Sequence, residues 1–250
     1  ENRARVSGTI YFRPKTATRL KAGIGYNYQA QKTGSFLIWQ SDSLGYVPSG
    51  GADTSNAAST LTYNFGQRLF VDPYVKFIDK KNNLHHLKTR VYYARNTNIN
   101  NPSQSNGAVI YFSDYSIQKQ FKNGGTLTSG ASNIYNVVTS NLFGDHNSLN
   151  GALYLQGEKN WKKVNIVAGI RGEYFEQDGR QGDSQFYFKD STAKLPVYPI
   201  FRAGIHYEPV KGTHIRTSYG QGIRYPSVAE RYTVTNVGAL NIFPNSNLTP

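Results

Sequence analysis

Apolar and polar residues alternate along most of the chain, and a period of two is the side-chain period of a β-strand. In the run KVNIVAGIRGEYFEQ one alternate set is apolar and the other is polar or glycine: Val164, Ile166, Ala168, Ile170 and Tyr174 against Asn165, Gly169, Arg171 and Glu173. The same division recurs in residues 20–29, 87–93, 201–207 and 214–225. Each run is therefore predicted to be a strand with one apolar face and one polar face.

About ten such strands are predicted from the pattern, at residues 4–13, 18–40, 64–79, 84–99, 107–122, 125–141, 148–160, 162–176, 198–208 and 213–225. The run 125–141 is included although it alternates poorly. Many of the strands exceed the ~5–6 residues usual in globular proteins and reach the ~9–11 residues of a tilted membrane-crossing strand. These lengths favour an all-β fold, an antiparallel transmembrane β-barrel with up-and-down strands.

The predicted connections are short and long in turn. Tight turns rich in Pro, Gly, Asn and Lys are predicted at residues 14–17, 80–83, 123–124, 160–161 and 209–212. Longer loops are predicted at residues 41–63, 100–106, 141–147, 177–197 and 226–250. Outer-membrane barrels have short periplasmic turns and longer external loops, so this order predicts that strands ending at Arg95, Phe175 and Arg224 run outward.

Two other β architectures remain open at this point. A soluble β-sandwich binding module also has alternating strands, with its apolar sets facing a shared core. A passive porin or a structural outer-membrane barrel would share the whole pattern. The 19 Tyr and 13 Phe favour a membrane barrel, because aromatic girdles lie at both of its interfaces.

Composition excludes several classes of protein. No stretch approaches the ~18 consecutive apolar residues of a membrane helix, and with no cysteine there is no disulfide or thiolate site. The net charge of +13 suits an anionic ligand, an anionic surface or nucleic acid, but no five-residue basic run favours nucleic acid. No targeting signal is visible at Glu1, so any signal is expected upstream or already removed.

The sequence offers little support for an enzyme or a metal site. His85 and His86 are adjacent on a strand and project to opposite faces, so they cannot chelate one metal together. Glu173 and Glu176 also lie on opposite faces, which gives no carboxylate pair for acid–base catalysis. The signatures of nucleophile elbows and phosphate loops are absent. We expect no catalytic residues and no resident cofactor.

Arginines on the polar faces are the candidate ligand-binding residues. Arg90, Arg171, Arg202, Arg216 and Arg224 all occupy the polar set of their strands, so they would line the lumen of a barrel. They either pair with acidic neighbours or draw an anionic ligand by their combined field, and both roles can hold together. The candidates at the lumen or mouth are Arg171, Arg202, Arg216, Arg224 and Tyr225.

The last part of the chain carries a recognisable pair of motifs. TSYGQGIRYPSVAERY and FPNSNLTP resemble the SYGxGxRxPSxxE strand and PNxxLxP turn near the end of TonB-dependent receptor barrels. The matching positions are Tyr219, Gly220, Gly222, Arg224, Pro226, Ser227, Glu230, Pro244, Asn245, Leu248 and Pro250. FVDPYVKFID (residues 70–79) and AGIRGEYFE (residues 168–176) look like strands of Bacteroidetes-type receptors. With these segments, the resemblance spans most of the chain.

The resemblance implies a barrel of 22 strands around an N-terminal plug, an architecture known for outer-membrane transporters. Residues 1–250 would then be the C-terminal part of that barrel, without the plug and the last strands. The implied activity is import of a scarce, large ligand with energy from the TonB–ExbB–ExbD complex, which would act through the absent N-terminal region. The other expected contacts are lipopolysaccharide, outer-membrane lipid and a small-molecule chelate, and no nucleic acid.

The resemblance favours a ferric siderophore as the ligand, which suits a basic mouth. Cobalamin, haem and oligosaccharides remain alternatives. Iron or cobalt would therefore enter only within the transported ligand. Loops 41–63, 177–197 and 226–245 are expected to form the external mouth, because loops on rigid scaffolds commonly carry recognition.

Overall fold

A single antiparallel sheet of ten strands in chain order forms the body of the protein. The structure is a computed structural model, and it describes residues 2–16, 19–36, 38–56, 58–178, 193–233, 235–237, 240–243, 245 and 248. The all-β, up-and-down prediction is confirmed, because every strand pairs with the strand that follows it.

The strands of the sheet are long. They are β1 (Asn2–Phe12), β2 (Leu20–Ser35), β3 (Thr62–Ile78), β4 (Leu84–Asn98), β5 (Asn106–Gln120), β6 (Gly125–Ser140), β7 (His146–Asn160), β8 (Val164–Gln177), β9 (Ala193–Tyr207) and β10 (Ile215–Gly220). Helix α1 (Val228–Tyr232) follows, and then a two-stranded ribbon of β11 (Thr235–Val237) and β12 (Leu240–Ile242). Two 3-10 turns, Asp42–Leu44 and Pro102–Gln104, lie in the connections after β2 and β4. No described helix has both the length and the apolar character needed to cross a membrane.

Side chains divide cleanly between the two faces of the sheet. One register row joins Tyr26, Val71, Val91, Tyr111, Tyr135 and Leu149 across six neighbouring strands. A row on the opposite face joins Lys21, Lys76, His86, Ser116, Gly130, Tyr154, Arg171 and Ile200. We call these the apolar face and the polar face.

Burial on these two faces is the reverse of that in a soluble protein. On β2 the polar Asn27 and Gln29 are 4% and 7% exposed, whereas Tyr26 and Tyr28 on the apolar face are 39% and 41% exposed. Among the described residues, the buried apolar side chains are Ala152, Phe175, Ile200, Val228 and Tyr232. So small a core does not match a β-sandwich, in which two apolar faces pack together. The exposed apolar face is instead suited to lipid.

The connections follow the predicted order of short and long. At one end of the sheet are the connections that follow β1, β3, β5, β7 and β9, which we call the short-turn end. At the other end are the connections that begin after β2, β4, β6, β8 and β10, which we call the long-loop end.

Three strand boundaries differ by five residues from those predicted. Strand β2 ends at Ser35 and not at residue 40, because Ser35 already pairs with Thr62, the first residue of β3. Strand β9 begins at Ala193, five residues before the predicted start, and Pro196 and Val197 lie in a bulge between the pairs Glu173–Tyr198 and Phe175–Leu195. The bulge and its two flanking prolines disguise the alternation here, since proline cannot donate to the ladder. Residues 179–192 of the predicted loop 177–197 lie outside the described part of the chain.

Strand β10 ends at Gly220 and not at residue 225 as predicted. Its next residue, Gln221, still donates its backbone N–H to Phe201 O at 3.0 Å, but its side-chain Oε1 accepts the Phe201 N–H at 3.0 Å. Two residues earlier on β9 is Pro199, which has no N–H to continue the ladder. The chain therefore leaves the sheet before Arg224 and Tyr225.

The β3–β4 turn is held by one carboxylate. Asp79 Oδ1 accepts the backbone N–H groups of Lys81 and Asn83, each at 2.8 Å. The turn also places Asn82 at a φ of 61°, a left-handed conformation that asparagine tolerates. These hydrogen bonds, that from Asn83 foremost, lower the pKa of Asp79 from 3.8 to about 2.

We expect Asp79→Ala to lower the thermal unfolding temperature of the intact protein in detergent at neutral pH. Because the folded pKa lies below the unfolded value, the carboxylate stabilises fully above 3.8 and loses its contribution as the pH falls towards about 2. The wild type should therefore lose stability over that window and Asp79→Ala should lose less. Lys80→Ala, in the same turn, keeps the carboxylate and should behave as the wild type. Identical pH profiles for wild type and Asp79→Ala would contradict this assignment.

Candidate functional site

Four of the predicted lumen arginines share the polar face of the sheet. Arg171 lies opposite Tyr154, and Arg202 lies opposite both Gly169 and Gly220. Arg216 lies opposite His206, and Arg90 lies opposite Phe112 on the same face. The predicted facing of these four residues is confirmed by this register.

Arg171 is the centre of a polar network on β5–β8. Its Nε donates to Glu173 Oε1 at 2.6 Å, and its Nη2 donates to Ser132 Oγ at 2.8 Å. The guanidinium lies 5.7 Å from the centre of the Tyr154 ring, and Tyr154 OH in turn donates to Asp114 Oδ2 at 3.1 Å. The charge of Arg171 is therefore largely offset by Glu173, so this residue orients its neighbours more than it supplies free positive charge.

Arg202 is in a different electrostatic situation. It lines a cavity of about 420 Å³ together with Asp114, Tyr154, Arg171 and Glu173. Within the described part of the chain, neither Arg202 nor Arg216 forms an ion pair. Arg202 is therefore the arginine of this cavity whose charge is available to a ligand.

Arg90, in contrast to Arg202, is held in an ion pair. Its Nε and Nη2 donate to the two carboxylate oxygens of Asp72, each at 2.6 Å, in a fork geometry that is among the strongest ion pairs. The guanidinium also lies 4.6 Å from the centre of the Phe70 ring. Arg90 is therefore held in place by side chains of β3.

After β10 the chain folds back over the sheet. This fold-back segment, residues 221–233, contains α1, whose first turn is closed by a capping box. Glu230 N donates to Ser227 Oγ at 3.3 Å, and Ser227 N donates to Glu230 Oε2 at 2.8 Å. The Ser227 N–H bond to the carboxylate, and after it the hydrogen bonds from Arg224 and from Ser227 Oγ, lower the pKa of Glu230. The PSxxE part of the motif is thus the start of a short helix.

The fold-back segment rests on the long-loop ends of β7 and β8. Tyr225 stacks on Phe175 with ring centres 4.4 Å apart, and Tyr232 stacks on His146 at 4.0 Å. Arg231, 3% exposed, donates to Gln177 Oε1 at 3.3 Å. Burial raises the pKa values of Tyr225 and Tyr232. The segment therefore ties the end of β10 to strands two and three positions away.

His146 is the most enclosed member of this contact. Its Nδ1 lies 3.0 Å from Asp178 Oδ1 and its Nε2 lies 2.9 Å from Phe143 O, while the side chain is 1% exposed. A carboxylate and a carbonyl only accept hydrogen bonds, so the imidazole ring is the donor in this contact. Asp178 also accepts the Asn147 N–H at 2.7 Å and fixes the end of β8 against β7.

The structure corrects the predicted position of Arg224 and Tyr225, since neither lies on a strand. Arg224 pairs with Glu230 yet its side chain remains 79% exposed, whereas Tyr225 packs against Phe175. The predicted PNxxLxP turn is described only at Asn245 and Leu248, where Leu248 N donates to Asn245 O at 3.4 Å. Pro244 and Pro250 lie outside the described residues. The remaining motif positions, Tyr219, Gly220 and Gly222, lead from β10 into the fold-back segment.

The histidines form no metal site in the described part of the chain. His85 is on the apolar face, where Nδ1 lies 2.7 Å from Tyr115 OH and the ring stacks on Phe77. His86 is on the polar face, as predicted from the strand period. No group of three or more His, Asp or Glu side chains suited to a metal occurs among the described residues.

The long connection after β2 presents an aromatic surface at the long-loop end. Trp39 and Tyr46 stack with ring centres 5.9 Å apart, and Tyr46 is 84% exposed. Trp39 Nε1 donates to Asp42 Oδ1 at 3.2 Å, which orients the indole. Sequence reasoning placed a mouth in loop 41–63 but missed this pair, because Trp39 lies just before that loop.

A second and larger cavity on the polar face was also missed. It measures about 840 Å³ and is lined on its basic side by Lys21, Lys76, His86 and Lys88. The alternation placed Lys88 on the polar set, but the cavity depends on the register of β2, β3 and β4, which the sequence pattern does not give.

A long-stranded sheet with a lipid-suited apolar face, an opposite polar face and connections of unequal length is typical of a transmembrane β-barrel domain of the outer-membrane type. The family model described as TonB dependent receptor-like, beta-barrel matches residues 2–250, and the chain belongs to this family. Its members are outer-membrane transporters, not enzymes, and they depend on TonB for energy. No curated protein and no solved structure matches the chain significantly.

We expect His146→Leu to destabilise the fold-back contact by about 2 kcal/mol, because it leaves the partly buried acceptors of Asp178 and Phe143 without their donor. The change should appear as a lower thermal unfolding temperature of the intact protein in detergent. His214→Leu, at an exposed position just before β10, is the matched control and should have a small effect, because its hydrogen bond to His206 is exposed to solvent. Equal losses in the two variants would contradict the role given to His146.

Proposed function

We propose that this chain is the ligand-binding barrel part of a TonB-dependent receptor that imports a scarce, large, anionic ligand, with a ferric siderophore as the favoured class. The observation that carries the proposal is Arg202, a cation without an ion pair among the described residues, in the 420 Å³ cavity of the polar face. Charge that lines a concave, low-dielectric site focuses the potential and raises the local concentration of anions.

The other residues of this cavity provide shape and orientation. Glu173 and Ser132 fix the guanidinium of Arg171, and Asp114 fixes the Tyr154 ring beneath it. A ligand would therefore meet a pre-organised aromatic and polar wall beside one available cation. Pre-organised groups bind at a lower entropic cost than mobile ones. Arg216 on β10 would add a second available charge on the same face.

The mouth of the receptor would lie at the long-loop end. The exposed Trp39–Tyr46 pair supplies a flat aromatic surface there, and Arg224 is exposed above the capping box. We therefore keep Arg171, Arg202, Arg216, Arg224 and Tyr225 as candidate ligand-binding residues, with Tyr225 acting through its packing on Phe175.

The two edges of the sheet support a larger receptor with further strands. Strand β1 pairs only with β2, and β10 pairs only with β9, so each edge leaves backbone groups unpaired. Such edges are not stable in lipid, and we propose that further strands close a barrel of about 22 strands around a plug. The TonB complex would act through the region of the plug. Residues 70–79 and 168–176 support a Bacteroidetes-type receptor.

We expect uptake of a ferric tris-catecholate by cells that express the intact receptor gene to require a functional TonB. Iron limitation should also raise expression of the receptor. Uptake that continues unchanged in a TonB-deficient strain would indicate a passive porin instead. TonB-dependent uptake of neutral cobalamin without uptake of the ferric chelate would keep the transport class and reject the siderophore.

We expect Arg202→Gln to weaken binding of the ferric tris-catecholate to the purified intact receptor by about tenfold, the usual size of a lost charge-assisted hydrogen bond. Lys162→Gln removes the same charge from a short turn and should leave the affinity unchanged. Titration by intrinsic fluorescence quenching measures both. An unchanged affinity in Arg202→Gln would show that Arg202 does not bind the ligand, and it would contradict the proposal.

A further inference from the structure

Three basic residues stand in one register row beside the short-turn end of the polar face. Lys21 lies directly opposite Lys76, and Lys76 lies directly opposite His86. Lys88 follows two residues along β4 and lines the same 840 Å³ cavity. Like charges placed directly opposite each other destabilise a strand pair. The row is therefore an arrangement that the fold alone does not favour.

The acidic residues near this row already have other partners. Both oxygens of Asp72 accept from Arg90 at 2.6 Å. Asp114 is in register with Lys88, but it accepts from Tyr154 OH and forms no ion pair with the lysine. In the described parts of the chain, Lys76 and Lys88 have no acidic partner within ion-pair distance. Neither lysine is therefore held in an ion pair, and basic residues outnumber acidic ones in the lining of this cavity.

The remaining walls of the cavity contain Thr89 and the Arg90–Asp72 ion pair and are otherwise aromatic and apolar. Tyr74 lies between the basic residues, and its ring centre is 5.9 Å from Lys21 Nζ. Tyr92, Phe112 and Ile134 form the opposite wall. The cavity volume of about 840 Å³ falls in the range of about 300–1,000 Å³ typical of small-molecule sites. Its chemistry suits a small anion with a compact body and several charges.

We propose that this basic cavity binds a small multivalent oxyanion, such as a pyrophosphate or a tricarboxylate. Lys76 and Lys88 are its principal charge partners, Lys21 extends the positive field along the register row, and His86 contributes a hydrogen-bonding ring to the lining. The site differs from the Arg202 cavity, because it is built on β2–β6 and the other is built on β5, β7, β8, β9 and the start of the fold-back segment. Binding here by the purified receptor requires no transport, so the inference goes beyond the function proposed above.

The test is calorimetric titration of the purified intact receptor, in an uncharged detergent at low ionic strength, with pyrophosphate and separately with citrate. We expect saturable binding of one anion per receptor. Lys76→Gln and Lys88→Gln should each weaken it about tenfold. Lys80→Gln removes an equal charge from the adjacent turn and should leave the affinity within error of the wild type. Thermal unfolding of all four proteins verifies that they are folded.

Three results would overturn the inference. The first is the absence of saturable binding, as expected if an acidic segment of the same receptor fills the cavity. The second is equal affinity in all four proteins, which would indicate general surface charge. The third is equally tight binding of monovalent acetate. Pyrophosphate binding by a receptor that imports no ferric chelate would keep this inference and reject the siderophore proposal, so the two failures are distinguishable.

Discussion

The backbone hydrogen-bond ladder between consecutive strands is the interaction on which the rest of this structure depends. Ten strands pair antiparallel in chain order, and the pairing holds one register from β2 to β9 with a single bulge. A sheet that turns its apolar face to lipid gains little from an internal apolar core, and few apolar side chains are buried in the described residues. Hydrogen bonds between the backbones of neighbouring strands stabilise the sheet in place of that core, since lipid offers no hydrogen bonds.

The same ladder explains why the fold was largely predictable from sequence and the site was not. Period-two alternation and strand length identify the ten strands, and they fail only where another constraint hides the pattern. In β6 small residues such as Ser129 and Ala131 occupy the apolar face, and Gly130 leaves room for the Tyr154 ring on the polar face. In β9 a bulge displaces the alternation. Contacts between strands distant in sequence require the register, which alternation does not encode.

The fold-back segment shows how a motif can be recognised correctly and placed wrongly. Alternation through Ile223 and Tyr225 extended β10, but Pro199 on the neighbouring strand has no N–H with which to continue the ladder. The freed residues then close a capping box and stack on Phe175 and His146. The packing role of RYPSVAERY is therefore to hold the ends of β7, β8 and β10 together at the long-loop end. Within it the enclosed Arg231 donates to Gln177 Oε1, as expected of a buried polar group.

The lysines of the polar face differ from the enclosed polar groups of the fold-back segment, because they remain in contact with water. Lys21, Lys76 and Lys88 are exposed, so their mutual repulsion is weakened by solvent and does not prevent folding. Neighbouring strands lie about 4.8 Å apart, so a row across three strands spans about 10 Å, close to the Debye length of about 8 Å at physiological salt. The charges of the row therefore act together on an anion within the cavity but only weakly on one outside it. A lumen built in this way attracts anions over short distances, and the attraction declines as the salt concentration rises.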